Sequence, residues 1–474
     1  MTTPALSLEG IRVLDLSRVL AGPFCGMLLS DLGADVIKIE DTSSGDESRT
    51  WPPHKDGESA AFLVINRNKR DMTLDLKAPE GVAILKRMVA SADVLVENFR
   101  TGTMESFGLG YDELAAINPR LVYCSVSAFG RTGPRKDGAG YEALMQAFSG
   151  IMSITGEPGG PPVRAGVSFL DLTTGIFCAF GIVNALLHRV STGLDERHWE
   201  KGKSPLDDLK KVRQAVKIPI QAVGGLMSIT GEPDGAPLRC GVSFLDLTTG
   251  IFCAFGIVNA LLHRVRTGLG QRVDGSLLET AVTLLNYHAE GYLLTGNQPK
   301  PLGSSHPSLS PYRTFKCRDG QWIFIAGAND RFWQRLAPAL GLPEMVTDSR
   351  FAKNIERVKN RRELEAALET AIGKQDREPL LKVLEDAGVP ATPVNTVQQV
   401  MEDAQTAARS MIERVVHPKL GEIPVVGTPI KFSRMKAGVR RAAPQQGQHT
   451  DEILAEYEYS SADIAALRAK KVVV

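Results

Sequence analysis

Residues Arg12–Glu40 read RVLDLSRVLAGPFCGMLLSDLGADVIKIE, and this stretch decides the fold class. Ile11–Leu16 is an apolar run of strand length. Gly22-Pro23 opens a helix, and Gly33 ends it as a C-cap. Ala34–Glu40 is a second strand. The three make a βαβ unit, which implies a parallel, doubly wound sheet. The glycines stand at 22, 26 and 33, not in the GxGxxG spacing of a dinucleotide-binding turn with Glu40 on the ribose. Helix–strand packing assisted by Gly22 and Gly26 explains them instead.

Further units follow on the C-terminal side. Helices are expected at Pro79–Ser91 and Tyr111–Asn118, and strands at Asp93–Glu97 and Leu121–Ser127. Gly130 suits a turn that needs positive φ. The helical pattern SLLETAVTLLNYHAEGYLL follows a short strand at Gln271–Val273. Gly296–Ser310 is a Pro- and Ser-rich loop, Thr314–Ala326 alternates like a hairpin, and Arg362–Ile372 and Glu378–Ala387 are amphipathic helices of a smaller α/β domain. Val425–Phe432 is a late strand.

A repeat interrupts this order. Met152–Leu194 and Met227–Leu269 are identical at 38 of 43 positions, with an offset of 75. Solenoid repeats drift more and come in threes or more, so this looks like a recent tandem duplication or a splice of two genes. Removing one period leaves 399 of the 474 residues. The join, Asp195–Pro219, is highly charged. Pro205–Val216 has helical spacing and leads into the strand-like IPIQAVGG. Gln221-Ala222 with Gly225 parallels Gln146-Ala147 with Gly150, a plausible crossover point. The division expected is a large domain over 1–194, a chimeric linker over 195–226, the second block and its continuation over 227–295, a small domain over 296–400, and a linker with C-terminal return to the large domain over 401–474.

Composition excludes several classes. Lys+Arg is 55 and Asp+Glu 54, so there is no basic excess for nucleic acid and no polybasic membrane patch. The start, MTTPALSLEG, lacks a signal peptide's charged and apolar regions. The longest apolar stretch, Gly175–Leu187, is too short to span a bilayer and reads as a buried helix. Six cysteines without a CxxC pair suit reduced thiols in the cytoplasm. No P-loop, HExxH, Cys/His cluster or GxSxG elbow occurs, so no metal site is expected.

The strongest constellation is GVSFLDLTTGIF, which places Asp171, and again Asp246, where a loop becomes a helix. The plain reading is an N-cap. The functional reading uses the same place: a helix N-terminus keeps the carboxylate ionised and able to act as a covalent nucleophile. Asn66–Lys77, NRNKRDMTLDLK, is basic enough to meet phosphates or is an exposed strand pair. Glu97-Asn98-Phe99 follows a strand at the carboxyl end, where doubly wound sheets bind ligands, or is a plain strand exit. Tyr141-Glu142 sets an aromatic and a carboxylate beside a Gly-rich loop, or starts a helix.

Taken together, Arg12–Glu40, GDESR (Gly45–Arg49), DVLVENFR (Asp93–Arg100), FGRTGPRKDGAGYE (Phe129–Glu142), the DLTTG blocks, GLGQRVDGSLLETAV (Gly268–Val282), HPSLSPYRTF (His306–Phe315) and VGTPIKFS (Val426–Ser433) resemble the family III CoA-transferases, a family that includes the α-methylacyl-CoA racemases. The join resembles a fragment of 3-hexulose-6-phosphate synthase, one αβ unit of eight and too little for a barrel site. The family resemblance implies a Rossmann-like large domain, a small domain and an interlocked homodimer. It implies acyl-CoA and carboxylic acid substrates, with coenzyme A as substrate and no metal or redox cofactor. It also implies that the DLTTG aspartate is the nucleophile, through an aspartyl–acyl anhydride and an aspartyl-CoA thioester. Glu142 matches the supporting carboxylate, and Leu74, Lys77, Asn98, Phe99, Arg100 and Tyr141 match CoA-contacting positions. The racemases carry a His where Tyr141 stands, which favours transfer over racemisation. Leu20 and Asp41 depart from the formyl-CoA transferase pattern and argue against formate and oxalate; HPSLSPYRTF points to dicarboxylates such as succinate, with His306 on a loop over the site. Asp171 keeps the family spacing from Glu142 and Asp246 keeps the family continuation, so the sequence leaves both candidates standing. It also leaves open a chimera that at most binds CoA.

Overall fold

A computed structural model describes residues 6–43, 45–138, 140–157, 160–191, 220–268, 270–417, 419–433, 438–442, 448–456, 458–470 and 473. The whole of the charged join, including the expected helix at Pro205–Val216, lies outside them. The chain divides into two compact units, Met1–Val400 and Met401–Val474.

The first unit is built on β1 (Arg12–Asp15), α1 (Ala21–Asp31), β2 (Asp35–Glu40), β3 (Arg70–Thr73), α2 (Pro79–Val89), β4 (Val94–Glu97), α3 (Tyr111–Ile117) and β5 (Val122–Ser125). The sheet order is β3-β2-β1-β4-β5, and every neighbouring pair is parallel. Both faces are covered, as the apolar strands require. Val13, Val36, Val94 and Val96 pack on α1 and on the long helix described below. The alternate residues Leu14, Leu16, Ile39 and Leu95 pack on α2 and α3. Gly22 and Gly26 serve close packing: a Cβ would stand 2.3 Å from Ser17 Cβ and 2.7 Å from Asp15 Oδ2. Glu40 is committed to structure, taking Arg49 Nη2 at 2.6 Å and the Asp46 amide at 2.6 Å. The basic segment Asn66–Lys77 contributes one strand, β3, on β2 rather than a strand pair.

The chain continues through α4 (Glu142–Phe148) to α5 (Phe169–Ser191) in the first block. The second block forms α6 (Phe244–Thr267). Each block opens with the same 3-10 turn, Ile151–Ile154 or Leu226–Ile229, after a glycine in the left-handed region, Gly150 (φ 80°) or Gly225 (φ 77°). Ile220–Val223 is a helical turn, not a strand. It is the duplicated tail of α4: Gln221 Oε1 accepts from the Cys240 amide at 3.1 Å, as Gln146 Oε1 accepts from Ala165 at 2.9 Å. The apolar stretch Gly175–Leu187, expected as a buried helix too short to span a bilayer, lies within the 23 residues of α5. Both α5 and α6 are long and apolar enough to cross a membrane by length and composition alone. Here α5 is packed as a core helix between α1, the sheet and α6, with Leu172, Ile176, Ala179 and Val183 fully buried.

Gln271–Val273 is exposed and forms no strand, since this short, polar run meets no sheet edge. The helix that follows breaks at Asn286 (φ 43°) into α7 (Leu277–Leu285) and α8 (Tyr287–Thr295). Residues 296–400 hold a three-stranded antiparallel sheet of β6 (Tyr312–Lys316), β7 (Trp322–Ala326) and β8 (Ala391–Pro393), with helices that include Arg361–Ile372 and Arg377–Asp386. Trp333, Leu336, Leu364, Leu368 and Leu380 fill their core. Tyr312 and Phe324 join this sheet to α4 through Ala143, Leu144 and Ala147. In the second unit Ile412–His417 and Gly421–Val426 form a hairpin, so the late strand ends at Val426, before Phe432.

Candidate active site

In a sheet of this order the direction in which successive strands are added reverses between β1 and β4, and ligands bind in the crevice beyond those carboxyl ends. A cleft of about 330 Å³ lies there. Arg18, Val19, Leu20 and Ala21 enter it from the loop after β1, and Asn98, Phe99, Arg100 and Thr101 from the loop after β4. Asn98 ties the two loops together. Its Oδ1 accepts from the Arg18 amide at 2.8 Å, and its Nδ2 donates to the Arg18 carbonyl at 2.6 Å. The Arg18 guanidinium lies over the Phe99 ring, 5.1 Å from its centroid. Val19 is held at φ 75°, strained for a β-branched residue, and its amide donates to Asp46 Oδ1 at 3.1 Å.

Tyr141, Glu142, Ser168 and Asp171 close the inner wall, and Trp51, His306, Leu309 and Tyr312 supply the rest of the apolar lining. Glu142 begins α4 and is buried; Gln146 Nε2 donates to its Oε1 at 2.5 Å. Burial, opposed by Arg164, Gln146 and the Leu170 amide, pushes Glu142 up to about 7. Asp171 is the third residue of α5, inside the first turn, so it is not the N-cap expected from the sequence. The helix starts at Phe169, three residues earlier than a capping Asp requires. Burial and the Glu142 charge push Asp171 up to about 8 against the pull of Arg164. Desolvation therefore outweighs the helix dipole, and the carboxyl is not held ionised as that dipole alone would have it.

His306 packs edge-on to Trp51 and Tyr312, with ring centroids 5.9 and 5.4 Å away. Its Nδ1 accepts from the Ser308 amide at 3.1 Å, and burial with the nearby Arg164 charge holds its pKa well below the usual histidine value. It is a neutral wall of the cleft. Burial and the Glu47 charge push Tyr141 up to about 12, which keeps it a neutral phenol.

Of the residues singled out from sequence, Asn98, Phe99, Arg100, Tyr141, Glu142 and Asp171 line this one cleft. Leu74 does not; it is buried against the α2 face of the sheet. Lys77 is exposed and also outside the cleft lining. Asp246 is exposed, away from Glu142 and the cleft. Trp51 and Lys136, from loops, and Tyr312, from the start of β6, also line the cleft without any signal in the sequence pattern; only the fold brings them together. Among the described residues no group of His, Cys, Asp and Glu is arranged to hold a metal ion.

The fold and the cleft define an α/β enzyme with a carboxylate pair, Glu142 buried and Asp171 half-buried, at the switch point of a parallel sheet. The family model for "CoA-transferase family III" matches residues 8–197 and 209–450. The succinyl-CoA:glutarate CoA-transferase of Mus musculus is 35% identical over 450 residues, covering 95% of this chain and 86% of that one. The succinate–glutarate CoA-transferase of Agrobacterium fabrum is 34% identical over 458 residues, covering 95% and 96%. A solved CAIB/BAIF family protein from Brucella suis is 35% identical and covers 96% of this chain and all of its own, with a TM-score of 0.38. The chain belongs to CoA-transferase family III, and its activity is CoA transfer between an acyl-CoA and a carboxylate.

Proposed function

We propose that Asp171 is the nucleophile, that a dicarboxylyl-CoA such as succinyl-CoA is the donor and that a second dicarboxylic acid is the acceptor. The observation that carries the assignment is that Asp171 faces the cleft beside Glu142, while its duplicate Asp246 faces solvent. An Asp171 Oδ attacks the thioester carbonyl, the C–S bond breaks, and CoA thiolate leaves an aspartyl–acyl anhydride. The thiolate then attacks the Asp171 carboxyl carbon and releases the acyl group as a free carboxylate. The resulting aspartyl-CoA thioester is attacked by the acceptor carboxylate, and the same two steps run in reverse. Holding acid and thiolate in one closed cleft is the main catalytic contribution. Glu142, next to the reacting carboxyl, sets its charge state. Asn98, Phe99, Arg100 and Tyr141 lie where the CoA moiety must enter.

The names of the relatives support the dicarboxylate reading, and neutral His306 and Tyr312 fit the acyl end of the cleft. Every step uses carboxylates, a thioester and a thiolate, so the scheme calls for no metal or redox group. The six free cysteines fit a reducing, cytoplasmic setting, and a homodimer is the assembly proposed. The test is a chromatographic assay of CoA esters after mixing succinyl-CoA with glutarate. Glutaryl-CoA and free succinate in equal amounts are expected. Hydrolysis of succinyl-CoA without a new ester would overturn the transfer reading.

A further inference from the structure

Glu97 stands just before Asn98 and Phe99 yet takes no part in the cleft lining. It is the last residue of β4, fully buried, and in register with Ser125 at the end of β5. Its Oε2 accepts from the Phe99 amide at 2.9 Å, and its Oε1 accepts from Ser125 Oγ and from Arg131 Nη2. Arg131 Nε donates to Ser125 Oγ at 2.6 Å, so one guanidinium fork holds both strand ends. Gly130, at φ 81°, turns the chain after β5 and brings Arg131 back to the sheet. Burial raises the Glu97 carboxyl against the pull of these donors. A carboxylate this deep needs its cation, because removing one partner of a buried pair strands the other charge.

Each end of this ion pair anchors a different segment of the cleft wall. Glu97 fixes Phe99, and with it the segment that runs to Thr101. Arg131 fixes the segment that leads on to Lys136, Gly138, Gly140 and Tyr141, all of which line the cleft. The two segments are tied a second time where Thr101 Oγ1 donates to the Lys136 carbonyl at 2.8 Å. We propose that Glu97 and Arg131 are positioning residues for coenzyme A: they touch no substrate, and their ion pair latches the segment after β5 to the end of β4, so that both segments meet the CoA moiety in one fixed arrangement. The inference rests on the reading that CoA enters beside Asn98, Phe99, Arg100 and Tyr141. A wall set in advance binds its ligand without an ordering cost at the moment of binding.

The test is isothermal titration of the full-length protein with coenzyme A itself. Arg131→Gln breaks the latch and is expected to weaken CoA binding about ten-fold. In steady-state kinetics the KM for succinyl-CoA is expected to rise by a similar factor with kcat within about two-fold, the mark of lost binding rather than lost chemistry. Arg131→Lys keeps the charge without the fork, and its affinity is expected to fall between those of Arg131→Gln and the unsubstituted protein. Glu97→Gln added to Arg131→Gln removes the stranded buried charge, so the denaturant midpoint is expected to recover while CoA affinity stays low. Unchanged CoA affinity in folded Arg131→Gln, or affinity that returns with the midpoint in the double variant, would overturn the positioning role. Should Arg131→Gln not fold, the double variant and Arg131→Lys carry the same comparison. CoA binding reads the latch whichever dicarboxylate is the donor, so failure of the succinyl-CoA reading shows separately, in the unsubstituted protein.

Discussion

The two blocks share 38 of 43 residues, yet one is core and the other is half surface. Leu172 is fully buried and its counterpart Leu247 is 65% exposed; Ile182 is 2% exposed and Ile257 51%. A Cβ on Gly175 would stand 2.6 Å from the Ala21 carbonyl oxygen of α1, while one on Gly250 would meet nothing within 4 Å. Secondary structure is the same in both copies, because turn, helix and local caps depend on nearby residues. Burial is not, because only one helix can fill the groove on α1. Helix propensity and a wide apolar stripe make the helix, but tertiary packing decides its environment.

The largest effect expected from that difference is catalytic. Asp171→Asn is expected to lower turnover by on the order of 10³-fold or more, as loss of a covalent nucleophile does. Asp246→Asn is expected to leave turnover within about two-fold. Steady-state kinetics on the two variants would break the comparison if their effects were equal or reversed.

Stability gives the next largest contrast. Leu172→Ala removes a fully buried side chain and is expected to cost about 2–5 kcal/mol. Leu247→Ala, on the exposed face, is expected to stay within about 0.5 kcal/mol. Denaturant midpoints of the two variants measure this directly.

The smallest effect is in pH dependence. As the proposed nucleophile Asp171 would have to be ionised to attack, and burial with the Glu142 charge raises it to about 8. The rate of the step is therefore expected to rise with pH through that region. Removing the Glu142 charge removes one of the two causes of the shift, so Glu142→Gln is expected to move this limb to lower pH. The folded-state pKa lies above the unfolded one, so the carboxyl's favourable contribution to stability is present below about 4 and fades as pH rises through about 8. Asp171→Asn is expected to gain Tm relative to the unsubstituted protein between pH 5 and pH 9, read by thermal melts across that range.

Much of this was legible in the sequence. The unit Arg12–Glu40 gave both strands and the helix of β1-α1-β2 within a residue or two, since apolar runs and a glycine cap are local signals. The duplication was legible as identity, and Asn98, Phe99 and Glu142 fell at the cleft because strand ends and helix starts can be located from the pattern. The choice between Asp171 and Asp246 was not legible, for identical segments carry identical local signals. In the structure the first block fills the groove on α1 and sets Asp171 beside Glu142, whose position 75 residues on is Lys217, and this supports the proposal of Asp171. Trp51, from a loop, and Tyr312, at the start of β6, carry no such signal because they reach the cleft from distant parts of the chain, and no spacing encodes that meeting.

The most direct measurement is intact-mass spectrometry of the protein after incubation with succinyl-CoA, followed by peptide mapping. The account predicts a CoA-sized, hydroxylamine-sensitive adduct on the peptide that carries Asp171. An adduct on the peptide that carries Asp246 would contradict it.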